Sequence, residues 1–487
     1  MDSSEELKKI KDISVDDVSS IKQTMEAINK GGLGMALIVE PGSGCFKGLV
    51  TDGDIRRALL DGQGLESPVS VVRRPESKTA PIGTSREEIV TMFSDKVRAI
   101  PLLNDNKQVV DLVVFDRRVH FPISEPVLDV KELVYVSECI LTGWVSSAGK
   151  FVTRFEEMFA EFCGTKFAIA TSNGTTALHL ALLALGIGPG DEVIVPSLTF
   201  IATANSVTYT GARPMFADSE TETWNIDPGA IEDLITSRTK AIIPVHLYGH
   251  PADMDPILKI AAKYHLKVIE DAAEAHGATY KGLRVGGIGD MGVFSFYGNK
   301  MVTTGEGGMV VTNDKGFAER IRILRDHGMS KERRYWHPVI GYNYRLTNLQ
   351  AALGVAQMER IDTILQMKRD IAAIYDSGLG EIPGITLPPR KSWAQNVFWL
   401  YSIIVDSQVL GISRNELIEQ LKNRGIETRP FFPPVHKQPC YGIDISLPKA
   451  EYLSANGLSL PSSPTLNKDN IRRIVKVVRN VVNNMSM

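Results

Sequence analysis

Between residues 127 and 312, short and mostly apolar runs alternate with stretches of helical periodicity, and no other feature restricts the fold as much. The runs lie at 167–170, 192–196, 214–217, 241–245, 267–270, 292–296 and 309–312. Each is a few residues long and bounded by turn formers, which predicts buried strands in an α/β layer.

The last two runs flank an unusual loop. Ser295-Phe296-Tyr297-Gly298-Asn299-Lys300 leaves one, and Thr303-Thr304-Gly305-Glu306-Gly307-Gly308 enters the other. A strand–loop–strand reading sets Lys300 at the mouth of a packed layer, where lysine is seldom placed for packing. Burial lowers an amine's pKa and lets it attack a carbonyl and hold an imine. A surface lysine in a Gly-rich hairpin is the alternative.

Three other strand exits bear on that choice. Ala170-Thr171-Ser172-Asn173-Gly174-Thr175-Thr176 opens a helix near Ala177. Its N–H groups and helix dipole suit a phosphate, while an ordinary Ser, Thr or Asn cap is the other reading. Phe200, after Pro196-Ser197-Leu198-Thr199, could cover a flat ring or fill the core. Asp271, in Glu270-Asp271-Ala272-Ala273-Glu274, could keep a proton on a ring nitrogen or cap a helix. Glu270 and Glu274 could both be solvated. A phosphate cradle, an aromatic ring, an aspartate and a lysine in this order suit pyridoxal 5'-phosphate, which needs a lysine imine and a carboxylate at its pyridinium.

Residues 121–487 resemble the fold-type-I sugar aminotransferases related to DegT and StrS. The resemblance is carried by Asn173-Gly174-Thr175-Thr176-Ala177-Leu178-His179, by Glu270 to Gly277, by the lysine loop with Gly305-Glu306-Gly307-Gly308, and by Gly341-Tyr342-Asn343-Tyr344-Arg345. It implies a large domain with a mixed, mostly parallel sheet over 121–370 and a small α+β domain over 371–487. It also implies site roles. Lys300 carries the cofactor and moves the proton, Asp271 faces the pyridinium nitrogen, and Phe200 stacks on the ring. Gly174, Thr175 and Ser295 bind the phosphate, and Glu274 lies near the ring hydroxyl. Asn343 reaches the phosphate of a second subunit, so a homodimer or higher homo-oligomer is expected. The amino donor is L-glutamate, and the acceptor is C4 of a nucleotide-linked 4-keto-6-deoxy sugar.

Phe296 to Lys300, Glu306, Asp326-His327-Gly328-Met329-Ser330 and Tyr335-Trp336-His337-Pro338 are similar to the branch that acts on GDP-4-keto-6-deoxy-D-mannose and forms GDP-perosamine. Glu274, where many relatives carry glutamine, fits that branch. UDP- and dTDP-linked keto sugars are the alternative acceptors. A related dehydratase branch has histidine in place of the lysine, so Lys300 points to transamination.

The first 120 residues read as two copies of a helix–strand–strand unit. The first has a helix at 16–29, with Val18, Ile21, Met25 and Ile28 on one face, and strands at 35–39 and 48–50. The second has a helix at 86–93 and strands at 99–103 and 109–114. The pair resembles a CBS module, a family of adenine-nucleotide sensors. Gly48-Leu49-Val50-Thr51-Asp52-Gly53-Asp54 matches its ribose-binding pattern, which implies Thr51 and Asp54 as contacts. The second copy departs from it at Asp111, Val114 and Arg117, so at most one nucleotide site is expected, and a packing or oligomerisation module is the alternative. Residues 121–126, with Pro122 and Pro126, read as an extended link.

Beyond the sheet, 349–374 reads as one long helix, 398–405 as a strand, 414–423 and 469–483 as helices. The rigid run Arg429-Pro430-Phe431-Phe432-Pro433-Pro434-Val435-His436 offers Arg429 and His436 as substrate contacts or is a plain surface loop. A net charge of -3 gives no reason to expect nucleic acid or an anionic membrane as partner. Cys45, Cys139, Cys163 and Cys440 form no paired motif, which suits a reducing compartment and argues against structural zinc. No stretch is long enough to span a bilayer, so a soluble cytoplasmic enzyme is expected. The rival from another class is a non-catalytic nucleotide-sensing platform.

Overall fold

The computed structural model describes residues 10–31, 34–72, 77–93, 97–114 and 121–483. The chain divides into two compact units, Met1–Arg117 and Arg118–Met487.

The first unit repeats one motif. In one copy, Ser14–Asp16 runs parallel to Met35–Val39, which pairs antiparallel with Phe46–Thr51, and the helix Ile21–Gly31 connects the first two strands. In the other, Ala80–Pro81, Arg86–Met92, Ala99–Leu103 and Val109–Val114 follow the same order and pairing. Phe46 N–H donates to Lys107 O at 2.9 Å, so the copies meet at their hairpins. The first helix starts at Ile21 and not at residue 16. Ser20 and Gln23 exchange N–H bonds with each other's side chains, capping the helix there. Its buried face is Ile21, Thr24 and Ile28, while Val18 and Met25 face solvent. Arg117, one of the departures in the second copy, lies outside the described residues.

The second unit is built on a seven-stranded sheet. Its strands are β1 (Phe167–Thr171), β2 (Glu192–Pro196), β3 (Arg213–Ala217), β4 (Thr239–Ile242), β5 (Lys267–Asp271), β6 (Met291–Ser295) and β7 (Gly308–Thr312). Their spatial order is β1-β7-β6-β5-β4-β2-β3. All neighbours are parallel except β7, which runs antiparallel to both β1 and β6. Both faces are covered, since separate buried clusters of apolar side chains lie on either side. The carboxyl ends of the parallel strands and the start of β7 therefore share one edge, where ligands of open α/β sheets sit.

The C-terminal layer is a four-stranded antiparallel sheet in the order Ile385–Thr386, Tyr401–Val405, Gly457–Leu460, Arg429–Pro430. The helices Ile361–Leu379, Arg414–Lys422 and Lys468–Asn483 pack on it. Three expectations change here. The long helix of 349–374 is two helices, Asn348–Met358 and Ile361–Leu379. At the break, Glu359 accepts from Lys131, Tyr135 and Arg154, and Arg360 pairs with Glu132, so the turn is pinned to the helix Val130–Thr142 and, through Arg154, to the helix Lys150–Cys163. The strand of 398–405 starts at Tyr401, because Phe398 is left-handed with φ 52°. Residues 121–126 are no free link. Phe121 is buried in the C-terminal layer, donates to Gly425 O and accepts from Glu427 N–H.

Candidate active site

The phosphate-cradle segment is organised by Asn173. Its side chain accepts from Thr176 N–H at 2.9 Å, and the Thr176 hydroxyl returns a bond to the Asn173 backbone, closing a capping box on the helix Gly174–Ala184. The cap and the cradle are thus one structure. With Asn173 serving Thr176, the N–H groups of Gly174 and Thr175 have no acceptor among the described residues. A Cβ at Gly174 would stand 2.9 Å from Ser295 Cβ, and one at Gly308 would stand 2.3 Å from Asn173 O. Only glycine lets β1, β6 and β7 bring the helix start and the Ser295 hydroxyl together.

Asp271 ends β5 and is buried. No helix follows it, so it is no helix cap. Its carboxylate accepts from the Thr203 hydroxyl at 2.8 Å and from Ala273 N–H at 3.2 Å. Burial raises its pKa, against those two hydrogen bonds. Glu270 and Glu274 are not solvated either. Glu270 accepts from the N–H groups of Gly286, Ile288 and Gly289 and faces His246 Nε2 at 3.0 Å, so it is a structural anchor behind the strand. Glu274 accepts from Tyr248 N–H at 2.9 Å, and its other oxygen lies 3.7 Å from Lys300 Nζ. Burial pushes its pKa up to about 7 although the lysine charge opposes the shift.

Lys300 is almost enclosed, with 11% of its side chain exposed. Its Nζ sits 3.6 Å from the centre of the Trp399 ring. Burial draws its pKa below the ordinary amine value, while Glu274 and Asp271 pull the other way. The surface-hairpin alternative for this lysine does not hold. Phe200 stands at the rim, 56% exposed, edge-on to Phe432 at 5.7 Å. It is not core filling.

Other candidates fall elsewhere. His436 is fully buried, with Nδ1 2.6 Å from Ser197 Oγ and Nε2 3.2 Å from Glu451. Both ring nitrogens are engaged, so it fixes the exit of β2 and does not offer itself to a substrate. Arg429 is exposed and faces Glu427 at 3.5 Å. Asn343 is exposed, its side chain held by Arg345 Nε at 3.3 Å, with no bond to the lysine cluster among the described residues. Thr51 and Asp54 form a capping box on the helix Asp52–Leu60, and Arg57 Nη2 holds the Asp54 carboxylate at 2.5 Å. Sequence reasoning missed Thr203, Tyr248 and Trp399. Tyr248 is left-handed at φ 51°, strain that is kept where it delivers its N–H to Glu274. No sequence signal marks these three, because each reaches the site across the fold.

A buried amine, a buried carboxylate on the next strand and a glycine-lined helix start with free N–H groups fit pyridoxal 5'-phosphate: a carbonyl-reactive nitrogen, a partner for a cationic ring and a seat for a phosphate. On this mixed sheet they define a fold-type-I, pyridoxal-phosphate-dependent aminotransferase. The chain belongs to the DegT/DnrJ/EryC1/StrS aminotransferase family, whose profile matches residues 126–479. It is 49% identical to GDP-perosamine synthase of Caulobacter vibrioides over 363 residues, which is 74% of this chain and 98% of that one. It is 47% identical to GDP-perosamine synthase of Escherichia coli O157:H7, across 72% of this chain and 96% of that one. The PLP form of a putative sugar aminotransferase, Spr1654 of Streptococcus pneumoniae, superposes with a TM-score of 0.71 at 28% identity, covering 75% of this chain and 99% of its own. Among the described residues, no helix is long and apolar enough to cross a membrane.

Proposed function

We propose that the enzyme transfers the amino group of L-glutamate to C4 of GDP-4-keto-6-deoxy-D-mannose, giving GDP-perosamine. The observation that carries the reading is the enclosed Lys300 amine between Glu274 and Trp399; the names of the two relatives support the choice of sugar. Pyridoxal 5'-phosphate, when bound, supplies the electron sink for amino-group transfer. Gly174 and Thr175 N–H and the Ser295 hydroxyl would hold its phosphate, and Phe200 would cover its ring. Asp271, steadied by Thr203, would hold the charge of its ring nitrogen, with Glu274 at its hydroxyl. Lys300 supplies the reactive nitrogen and carries the proton between donor and acceptor carbons in both half-reactions. Burial lowers its pKa, which favours the neutral amine able to take that proton. Two measurements test the reading. Lys300→Ala is expected to abolish glutamate-dependent amination, and its retention would falsify the assignment. Amination across GDP-, UDP- and dTDP-4-keto sugars is expected to favour the GDP-linked one.

The same reading makes the working form a homodimer. The helix Val130–Thr142 presents Leu133, Ile140 and Leu141 to solvent, next to Trp144, and the 335–340 segment presents Tyr335, Trp336 and Ile340. Faces this apolar are seldom left bare. Nearby, a cavity of about 500 Å³ is lined by Arg322, Arg325, Lys331, Arg334 and Arg345, and Asp326 at its wall pairs with Asn343. A second subunit's nucleotide diphosphate suits this cationic lining, with Asn343 reaching that subunit's cofactor phosphate.

For the N-terminal unit, the duplicated motif favours a CBS-like sensor of an adenine nucleotide. Thr51 and Asp54 are already bonded to each other, so a ribose would have to displace part of that box. Calorimetric titration with ATP, ADP and AMP is expected to give heat with one of them; none for any would leave the unit a packing module.

A further inference from the structure

Lys368, on the helix Ile361–Leu379, is 2% exposed, and no carboxylate pairs with it among the described residues. Its Nζ donates to Trp399 O at 2.8 Å, Ser462 O at 2.5 Å and Ser462 Oγ at 3.0 Å. A buried ammonium with only neutral acceptors is costlier than an apolar side chain of the same size. Burial draws its pKa down to about 7. Packing alone gives no reason for a lysine here.

The acceptors of Lys368 belong to two segments that close on Lys300. The Trp399 indole lies over the Lys300 amine, and its Nε1 donates to Asn299 O at 2.8 Å. Ser462 N–H donates to Ile123 O at 3.0 Å, and the adjacent Ser124 hydroxyl donates to the same Asn299 O at 3.3 Å. The backbone at Trp399 has little slack on its other side. Phe398 is left-handed, and a Cβ at Gly249 would stand 2.9 Å from Trp399 N. Lys368, Trp399, Ser124 and Lys300 line one small cavity.

We propose that Lys368 is a positioning residue for Lys300. By holding the Trp399 carbonyl against Ser462, it fixes the indole as a lid over the Lys300 amine and sets the surroundings from which that amine reacts. The proposal rests on the reading of Lys300 as the reactive amine for its meaning in turnover, but not for the contact itself.

The test is the pH profile of Lys300 acetylation by trace acetic anhydride in cofactor-free, full-length protein, read by peptide mass spectrometry. The plateau reports access, and the midpoint reports the charge environment. Lys368→Met is expected to move the midpoint upward, as Trp399→Ala does, because burial is the larger cause of its depression. In the double variant the Lys368 effect is expected to vanish, since it acts through the indole. A profile for Lys368→Met that overlays the wild type overturns the proposal. So does a Lys368 effect that persists in full without Trp399, which would be the loss of a nearby charge. If Lys368→Met does not fold, Ser462→Ala, which removes one acceptor, is expected to give a smaller upward shift, and no shift overturns the proposal. Failure of Lys300 as the cofactor-bearing residue would appear in cofactor attachment and not in this profile.

Discussion

At the scale of single residues, burial moves the pKa values of Asp271 and Glu274 up and that of Lys300 down. Glu274 titrates near 7 in the folded chain against an ordinary value of 4.5. A carboxyl with a raised folded pKa contributes stability that is whole below about 4.5 and is lost as pH rises through about 7. Glu274→Gln cannot ionise and keeps the shape. The stability of cofactor-free wild type, measured by urea denaturation, is therefore expected to fall relative to Glu274→Gln between pH 4.5 and 7. The change is up to about 3 kcal/mol. Parallel curves would show that the carboxylate is not desolvated. His436 makes a different case. It offers no free nitrogen, and its removal would take from the buried Ser197 hydroxyl its ring partner, leaving it only the backbone N–H of residue 436. His436→Ala is expected to cost about 2–4 kcal/mol in the same denaturation.

At the scale of elements, the cradle depends on three strands that approach more closely than any side chain permits. Gly174→Ala sets a methyl against Ser295 Cβ. Its expected effects are a loss of about 1–3 kcal/mol in stability and a weaker hold on pyridoxal 5'-phosphate in a fluorescence titration. An unchanged titration would remove the cradle from the account. The seven strands of this sheet were legible in the sequence because each is a short apolar run between turn formers, and a strand buried on both faces leaves that pattern. Asn173, Asp271 and Lys300 stood out in the sequence because each sits at a strand end or within a few residues past one. The helix of 349–374 was misread as continuous because its apolar spacing passes through Glu359 and Arg360 unbroken. What divides it is the charge set on the helix Val130–Thr142, far away in sequence. Trp399, Tyr248 and Lys368 carried no local sign, since each is defined by a partner from another element.

At the scale of the whole molecule, the aminotransferase unit leaves large apolar side chains open on two segments, with Leu141 of the helix Val130–Thr142 86% exposed and Ile340 90% exposed. If a second copy covers Leu141 and its neighbours and completes the site, Leu141→Asp is expected to yield a monomer in sedimentation and to lose most of its amination. A monomeric variant with full activity would separate assembly from catalysis. Every scale converges on Lys300, because the strands, the carboxylates and the indole lid all serve to enclose one nitrogen. The most direct measurement is borohydride reduction of the cofactor-loaded enzyme, followed by digestion and mass spectrometry of its lysine peptides. The cofactor is expected on the peptide that holds Lys300; finding it on the Lys368 peptide, or on none, would contradict the account.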